Sequence, residues 1–230
     1  MALYAIADLH LSLGTDKPMD IFKGWQDYSE RLEKNWRALI TDDDTVVVAG
    51  DISWAMKLEE CFEDFSFLES LPGTKILLKG NHDYWWTTKK KIDEYLKANN
   101  FNSIKILFNN SFVVDGVTIC GSRGWCYDAG SDADIKIINR EVGRLKLSLD
   151  SADKADKSPI VFLHYPPVYG DYECSEIIDT LKQYNIKECY YGHLHGAHTH
   201  KCATTGMYKD INMHLISTDY VDFMPVLVRN

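Results

Sequence analysis

Strand-length apolar runs alternate with amphipathic stretches along the first half of the chain, and the second half adds hairpin-like segments. Leu3–Ala7, Thr45–Ala49, Ile76–Leu78 and Ile160–Leu163 are short runs of the kind buried in sheets. Between them, helical spacing puts Trp25, Tyr28, Leu32, Trp36, Leu39 and Ile40 on one stripe of Gly24–Ile40. Leu58–Leu71 directs Cys61, Phe62, Phe65 and Leu68 inward and stops at Pro72-Gly73. Thr88–Ala98, Ile135–Ser151 (with Ile138, Val142, Leu145 and Leu149) and Ser175–Tyr184 read as further helices. Phe112–Cys120 predicts a hairpin turning at Asp115-Gly116. Ser158-Pro159 introduces the Ile160 strand, Glu188–Tyr191 supplies another, and Met213–Val228 holds two β-like runs. The alternation predicts one α/β layered domain over residues 1–230, with parallel pairing early and antiparallel pairing later.

The residues just past each strand carry the chemistry. Leu3–Ala7 ends in Asp8-Leu9-His10, Thr45–Ala49 in Gly50-Asp51, and Lys75–Lys79 in Gly80-Asn81-His82-Asp83. Ile160–Leu163 ends in His164, and Glu188–Tyr191 in Gly192-His193-Leu194-His195. Ligands bind at the carboxyl ends of strands in such sheets. Taken singly, each is ordinary, since aspartate and asparagine favour turns and a lone histidine is usually a satisfied core or surface group. His193 with His195, as a His-x-His on a strand, share one face, and the same period places Asp8 with His10, because side chains repeat every two residues. Carboxylate, imidazole and amide oxygen together suit Mn, Fe or Zn. The set exceeds what one tetrahedral ion needs, which implies two divalent ions sharing a carboxylate, and Asp51 is best placed by chain order. Paired ions lie about 3.5–4 Å apart and lower the pKa of a bound water toward about 7.

Composition narrows the setting. The formal net charge of −9 disfavours non-specific binding to nucleic acid or an anionic membrane. The N-terminus has no basic region ahead of Asp8, and no apolar run is long enough to span a bilayer, so a cytoplasmic protein is expected. Cys61, Cys120, Cys126, Cys174, Cys189 and Cys202 form no Cys-x-x-Cys pair and read as reduced thiols. The Asp42-Asp43-Asp44 cluster reads as a solvated turn.

The five runs, in this order and with Pro166-Pro167 after His164, resemble the calcineurin-like metallophosphoesterases, in particular compact bacterial-type phosphohydrolases. The resemblance covers residues 8–195 and implies a four-layer α/β/β/α sandwich with a dinuclear centre at one end of its sheets. It implies that Asp8, His10 and His195 hold one ion, that Asp51 bridges, and that Asn81, His164 and His193 complete the other. His82 would face the phosphoryl oxygen or leaving group, oriented by Asp83, which stands where many members carry glutamate. The implied activity is metal-dependent hydrolysis of a phosphate mono- or diester by attack of a metal-bound hydroxide on phosphorus. The substrate is a phosphorylated small molecule or protein. The alternative is an interaction scaffold that kept the fold, although scaffolds tend to lose ligands and none is missing here. A nuclease would want a basic groove or an added DNA-binding domain, and the sequence shows neither.

Around the motifs, Arg123 after the hairpin is either a phosphate-binding group or a solvated loop residue. Trp54, Tyr84, Trp85, Trp86, Trp125, Tyr165 and Tyr169 either form a rim that stacks a flat leaving group or pack the loops. His198 and His200 read as loop residues, and His214 has no evident partner in the sequence. The Gly124–Ser158 segment is the one candidate for a substrate-covering cap.

Overall fold

The computed structural model describes residues 1–125, 132–152 and 159–230. The readings of Cys126 and Ser158, and parts of the 124–158 segment, lie outside them. In chain order the first elements are β1 (Leu3–Ile6), α1 (Tyr28–Leu39), β2 (Thr45–Ala49), α2 (Phe62–Ser70), β3 (Thr74–Leu78), α3 (Lys89–Ala98) and β4 (Ile104–Ile106). Next come β5 (Phe112–Val114), β6 (Val117–Ser122), α4 (Asp132–Asp150), β7 (Ile160–Leu163), β8 (Val168–Tyr169) and β9 (Tyr172–Glu173). The chain finishes with α5 (Ser175–Gln183), β10 (Glu188–Tyr191), α6 (Gly196–Lys201), β11 (Gly206–Tyr208), β12 (Ile211–Leu215) and β13 (Val226–Arg229).

The strands form two large mixed sheets, ordered β13-β1-β2-β3-β4 and β11-β12-β10-β7-β6-β5, with β8-β9 as a small ribbon. Their inner faces meet in one apolar layer that includes Ala5, Val47, Ile76 and Leu107 against Ile119, Phe162 and Tyr190. Outside the first sheet, Leu32, Trp36, Phe65, Leu68 and Ile92 of α1 to α3 cover Val46, Val48 and Leu77. Outside the second, Ile138, Leu145, Ile177 and Leu181 of α4 and α5 cover Val161 and Cys189. This is the expected α/β/β/α order of layers. Burying both faces of each sheet explains why their strands are continuous apolar runs instead of alternating ones.

Several local expectations change. The second sheet is parallel through β6, β7, β10 and β12, and only its edges β5 and β11 pair antiparallel. Crossovers join β6 to β7 and β7 to β10, while hairpins tie the edge strands β5 and β11 to β6 and β12. Helix α1 begins at Tyr28, which leaves Trp25 in the preceding loop beside Gly24 (φ +92°). Leu39 and Phe62 are exposed, not inward. Asp44 is buried instead of solvated: its carboxylate accepts Ala2 N at 2.7 Å and Thr41 N at 2.9 Å, tying the chain's start to β2. The described part of the 124–158 segment includes α4, packed on the second sheet rather than over the site. His214 finds partners in Glu188 (2.7 Å) and the face of Tyr190.

Candidate metal centre

The motif residues lie just past the strand ends, held by backbone hydrogen bonds that carry the sheets onward. Asp8 N donates to Gly50 O (2.9 Å), His10 N to Asp51 O (2.9 Å), and Gly192 N to His164 O (3.1 Å). Asp8, His10, Asp51 and His193 all adopt left-handed backbone, with φ of 62, 48, 50 and 73°. Each such residue costs about 1–2 kcal/mol relative to ordinary backbone, so the neighbouring strands must impose it. The chain has therefore left the strand before the ligands begin, and the two-residue period does not place them. In fact His193 and His195 point into different groups. At Gly80 an added Cβ would lie 2.1 Å from Asp51 Oδ1, so only glycine lets these loops approach.

Six of the predicted ligands gather as two triplets, Asp8 with His10 and His195, and Asp51 with His164 and His193. Asp51 stands between them: its Oδ2 is 3.7 Å from His10 Nε2 and 3.5 Å from His164 Nε2. Asn81 joins the second triplet, its Oδ1 2.6 Å from His164 Nε2. Asp8 reaches across both, with Oδ1 3.8 Å from His195 Nε2 and 3.6 Å from His164 Nδ1.

Protonation shows what the donors are turned toward. Burial holds His10, His164 and His193 neutral, pushing each down to about 3. Since Ala49 O can only accept, His164 Nδ1 must donate to it at 3.1 Å, which leaves a lone pair on Nε2. That lone pair faces Asn81 Oδ1 and Asp51 Oδ2, an arrangement that a shared cation satisfies. Asp8 Oδ1 is likewise buried without a hydrogen-bond partner. Burial, reinforced by the negative charge of Asp51, lifts Asp8 to about 7, a penalty a cation would relieve. Imidazole, carboxylate and amide donors of this kind fit divalent ions such as Mn, Fe or Zn.

The first triplet is backed differently. Burial alone would lower His195, but Asp8 and Asp219 outweigh it and raise it to about 9. His195 Nδ1 donates to Asp219 Oδ1 at 2.9 Å, and Asp219 Oδ2 accepts Gly196 N at 2.8 Å. Asp219 is a functional residue that motif reading missed. It arrives because Ala7 bridges to the 216–218 segment, with Thr218 N donating to Ala7 O (3.0 Å). The available signal was the general need of a ligating histidine for an outer acceptor, which does not single out one acid among many.

His82 stands beside the donors without entering either triplet. Its backbone N donates to Asp51 Oδ1 (2.7 Å), and its ring lies 4.4 Å from Trp54 and 5.6 Å from His10. The expectation that Asp83 orients it is replaced. The fully buried Asp83 carboxylate accepts Gly80 N (2.7 Å), Ile52 N (2.9 Å), Asp51 N (3.0 Å) and Trp85 Nε1 (3.0 Å). It clamps the Asp51 loop to the Asn81 loop, and Tyr84 OH is the group near His82 Nδ1, at 3.4 Å.

Of the remaining expected contacts, Trp54 stacks on His10 at 4.9 Å. Arg123 turns to the buried Glu141 of α4 (3.3 Å) and over Trp125 (5.0 Å), while its carbonyl accepts His164 N and Tyr165 N. It thus shapes the His164 loop from behind. Trp125 meets Tyr165, which in turn lies 4.4 Å from His193. Trp85 is core, packed edge-on against Phe65. His198 is exposed, and His200 Nε2 donates to Leu194 O (3.1 Å) near Asp219.

Residues 1–197 match the family model of the calcineurin-like phosphoesterases, and the chain belongs to that family. A Mycobacterium tuberculosis structure described as a phosphopantetheinyl hydrolase superposes with a TM-score of 0.57 at 18% identity, over 99% of this chain and 95% of that one. A Thermus thermophilus structure gives 0.57 at 13% identity (99% and 97%), and an Aquifex aeolicus protein of unknown function 0.52 at 19% (98% and 95%). At these identities the likeness is one of fold. No curated protein sequence gives a significant match. Among the described residues no helix is long and apolar enough to cross a membrane.

Proposed function

We propose that the protein is a dinuclear phosphohydrolase acting on a phosphate mono- or diester of a small organic molecule. One observation carries the reading: two donor triplets lie side by side, and the Asp51 carboxylate of the second stands 3.7 Å from His10 of the first and 3.5 Å from its own His164. Two divalent ions, when bound, supply a hydroxide at neutral pH and neutralise charge growing on the phosphoryl oxygens. The chain's own residues do the rest. Asp8, His10 and His195 on one side, and Asn81, His164 and His193 on the other, fix the donors through loops that the strand ends hold rigid. Asp51 ties the halves together, and Asp83 keeps their loops in register. His82 donates a hydrogen bond to the departing oxygen, being within reach of the centre but outside both triplets. The resemblance in fold to a phosphopantetheinyl hydrolase supports an organic phosphoester as substrate. Manganese is the first ion to try. Purified protein reconstituted with Mn and assayed on nitrophenyl monoester and diester side by side should hydrolyse at least one. Failure with Mn, Fe and Zn alike would favour a non-catalytic scaffold.

A further inference from the structure

The centre opens on one side into a large cavity. It measures about 400 Å³, and His10, His82 and His195 form its floor. Its walls are Met19, Phe22, Trp25 and Trp54, supplied chiefly by the long connection from β1 to α1. A second cavity of about 300 Å³ continues from it, sharing Met19, Phe22 and Trp54 and adding Pro18 and Ile21. Connections beyond about 12–15 residues are uncommon unless functional, and residues 7–27 here form an excursion of that kind. Phe22 and Ile21 are large apolar side chains left 52% and 74% exposed beside a charged centre. Such an exposed patch marks a binding surface.

The linings say what chemistry fits. The indole faces are already used: Trp54 packs against His10 and the ammonium of Lys17, and Trp25 is closed in by Phe223, Tyr28 and His195, while the half-exposed ring of Phe22 stays open. A nucleobase would want polar groups for its edges as well, and of the polar walls Asp219 is spent on His195 and Gly196, which leaves the ammonium of Lys23. What remains is an apolar strip of Met19, Phe22 and Ile21 running across the two cavities, with Asp16, Lys17 and Lys23 also in their walls. Because the floor of the larger cavity includes His82, a group leaving from phosphorus on the His82 side enters it directly.

Resting on the phosphohydrolase reading, we infer that the substrate's leaving group carries an extended apolar chain, and that the Met19–Phe22 trough selects it. The test is a series of 4-alkylphenyl phosphates, from phenyl to 4-hexylphenyl, whose leaving groups share nearly one pKa. With the Mn-loaded protein, kcat/KM should rise about two- to fourfold per methylene, the range for half to full burial of a CH₂. Phe22→Ser and Ile21→Ser, at exposed positions, should flatten that rise while metal content stays unchanged. A flat series in the unaltered protein, or a slope both variants keep, overturns the inference. So does a preference for a nucleoside 5′-nitrophenyl phosphate over the hexyl ester. Alkylphosphonates of increasing length, followed by tryptophan fluorescence, separate the two readings. Length-dependent binding lost in Phe22→Ser, without hydrolysis of any ester, would keep the trough and sink the phosphohydrolase. Hydrolysis with no dependence on length does the reverse.

Discussion

The two halves of the candidate centre each bring one carboxylate and two imidazoles, one of them adding the Asn81 amide, and they differ in what stands behind them. The half around Asp51, Asn81, His164 and His193 is enclosed: His164 is wholly buried and backed by a neutral carbonyl, Ala49 O. The half around Asp8, His10 and His195 is open: it borders the apolar cavity, and His195 is backed by a carboxylate, Asp219. A carbonyl fixes a tautomer, and a carboxylate also makes the imidazole a stronger base.

Asp51→Asn should have the largest effect, because its carboxylate lies 3.7 Å from His10 in one half and 3.5 Å from His164 in the other. At least one ion per chain is lost, and kcat/KM falls about 10³-fold or more, some 4 kcal/mol of transition-state stabilisation. Metal analysis with steady-state kinetics checks it, and two retained ions would remove Asp51 as the bridge. His82→Ala should leave both ions in place and lower kcat about 10²–10⁴-fold. Loss of metal in that variant would make His82 a ligand. Asp219→Asn should weaken only the open half, by about 10–100-fold in metal affinity. Calorimetric titration should then separate two binding steps that lie closer together in the unaltered protein, and equal weakening of both steps would contradict the account.

The smallest expected effect is in pH. His195 sits near 9 when folded, against its ordinary 6.5, so its contribution to stability is complete below 6.5 and is lost as pH rises through 9. The melting temperature of metal-free protein should fall by roughly 5 °C between pH 7 and 9. Asp219→Asn should shrink that fall. Binding at the open half should also release a proton below pH 9, measurable as a buffer-dependent heat. A profile unchanged by Asp219→Asn would put the basicity of His195 elsewhere.

The motif ligands were legible because strand-sized apolar runs ending in Asp, Asn or His mark both where the chain emerges and what it carries. The layers came from the same runs. Three things were not legible. Strand direction in the second sheet depends on crossovers, which the spacing of β6, β7, β10 and β12 does not reveal. The strand period alone would put His193 and His195 together, and it fails at the left-handed backbone of His193, so that only the family resemblance separated the two. The roles of Asp83, Asp219 and Trp25 depend on tertiary contacts: Asp83 on five N–H donors gathered from two loops, Asp219 on the bridge at Ala7, and Trp25 on lying outside the helix its spacing suggested.

Whether two ions share Asp51 is read most directly by electron paramagnetic resonance of the Mn-loaded protein. With about two Mn per chain, ions roughly 3.5–4 Å apart and bridged by a carboxylate should give the multiline spectrum of an exchange-coupled pair. One ion per chain, or two showing only the six-line signal of isolated Mn, would contradict a shared Asp51.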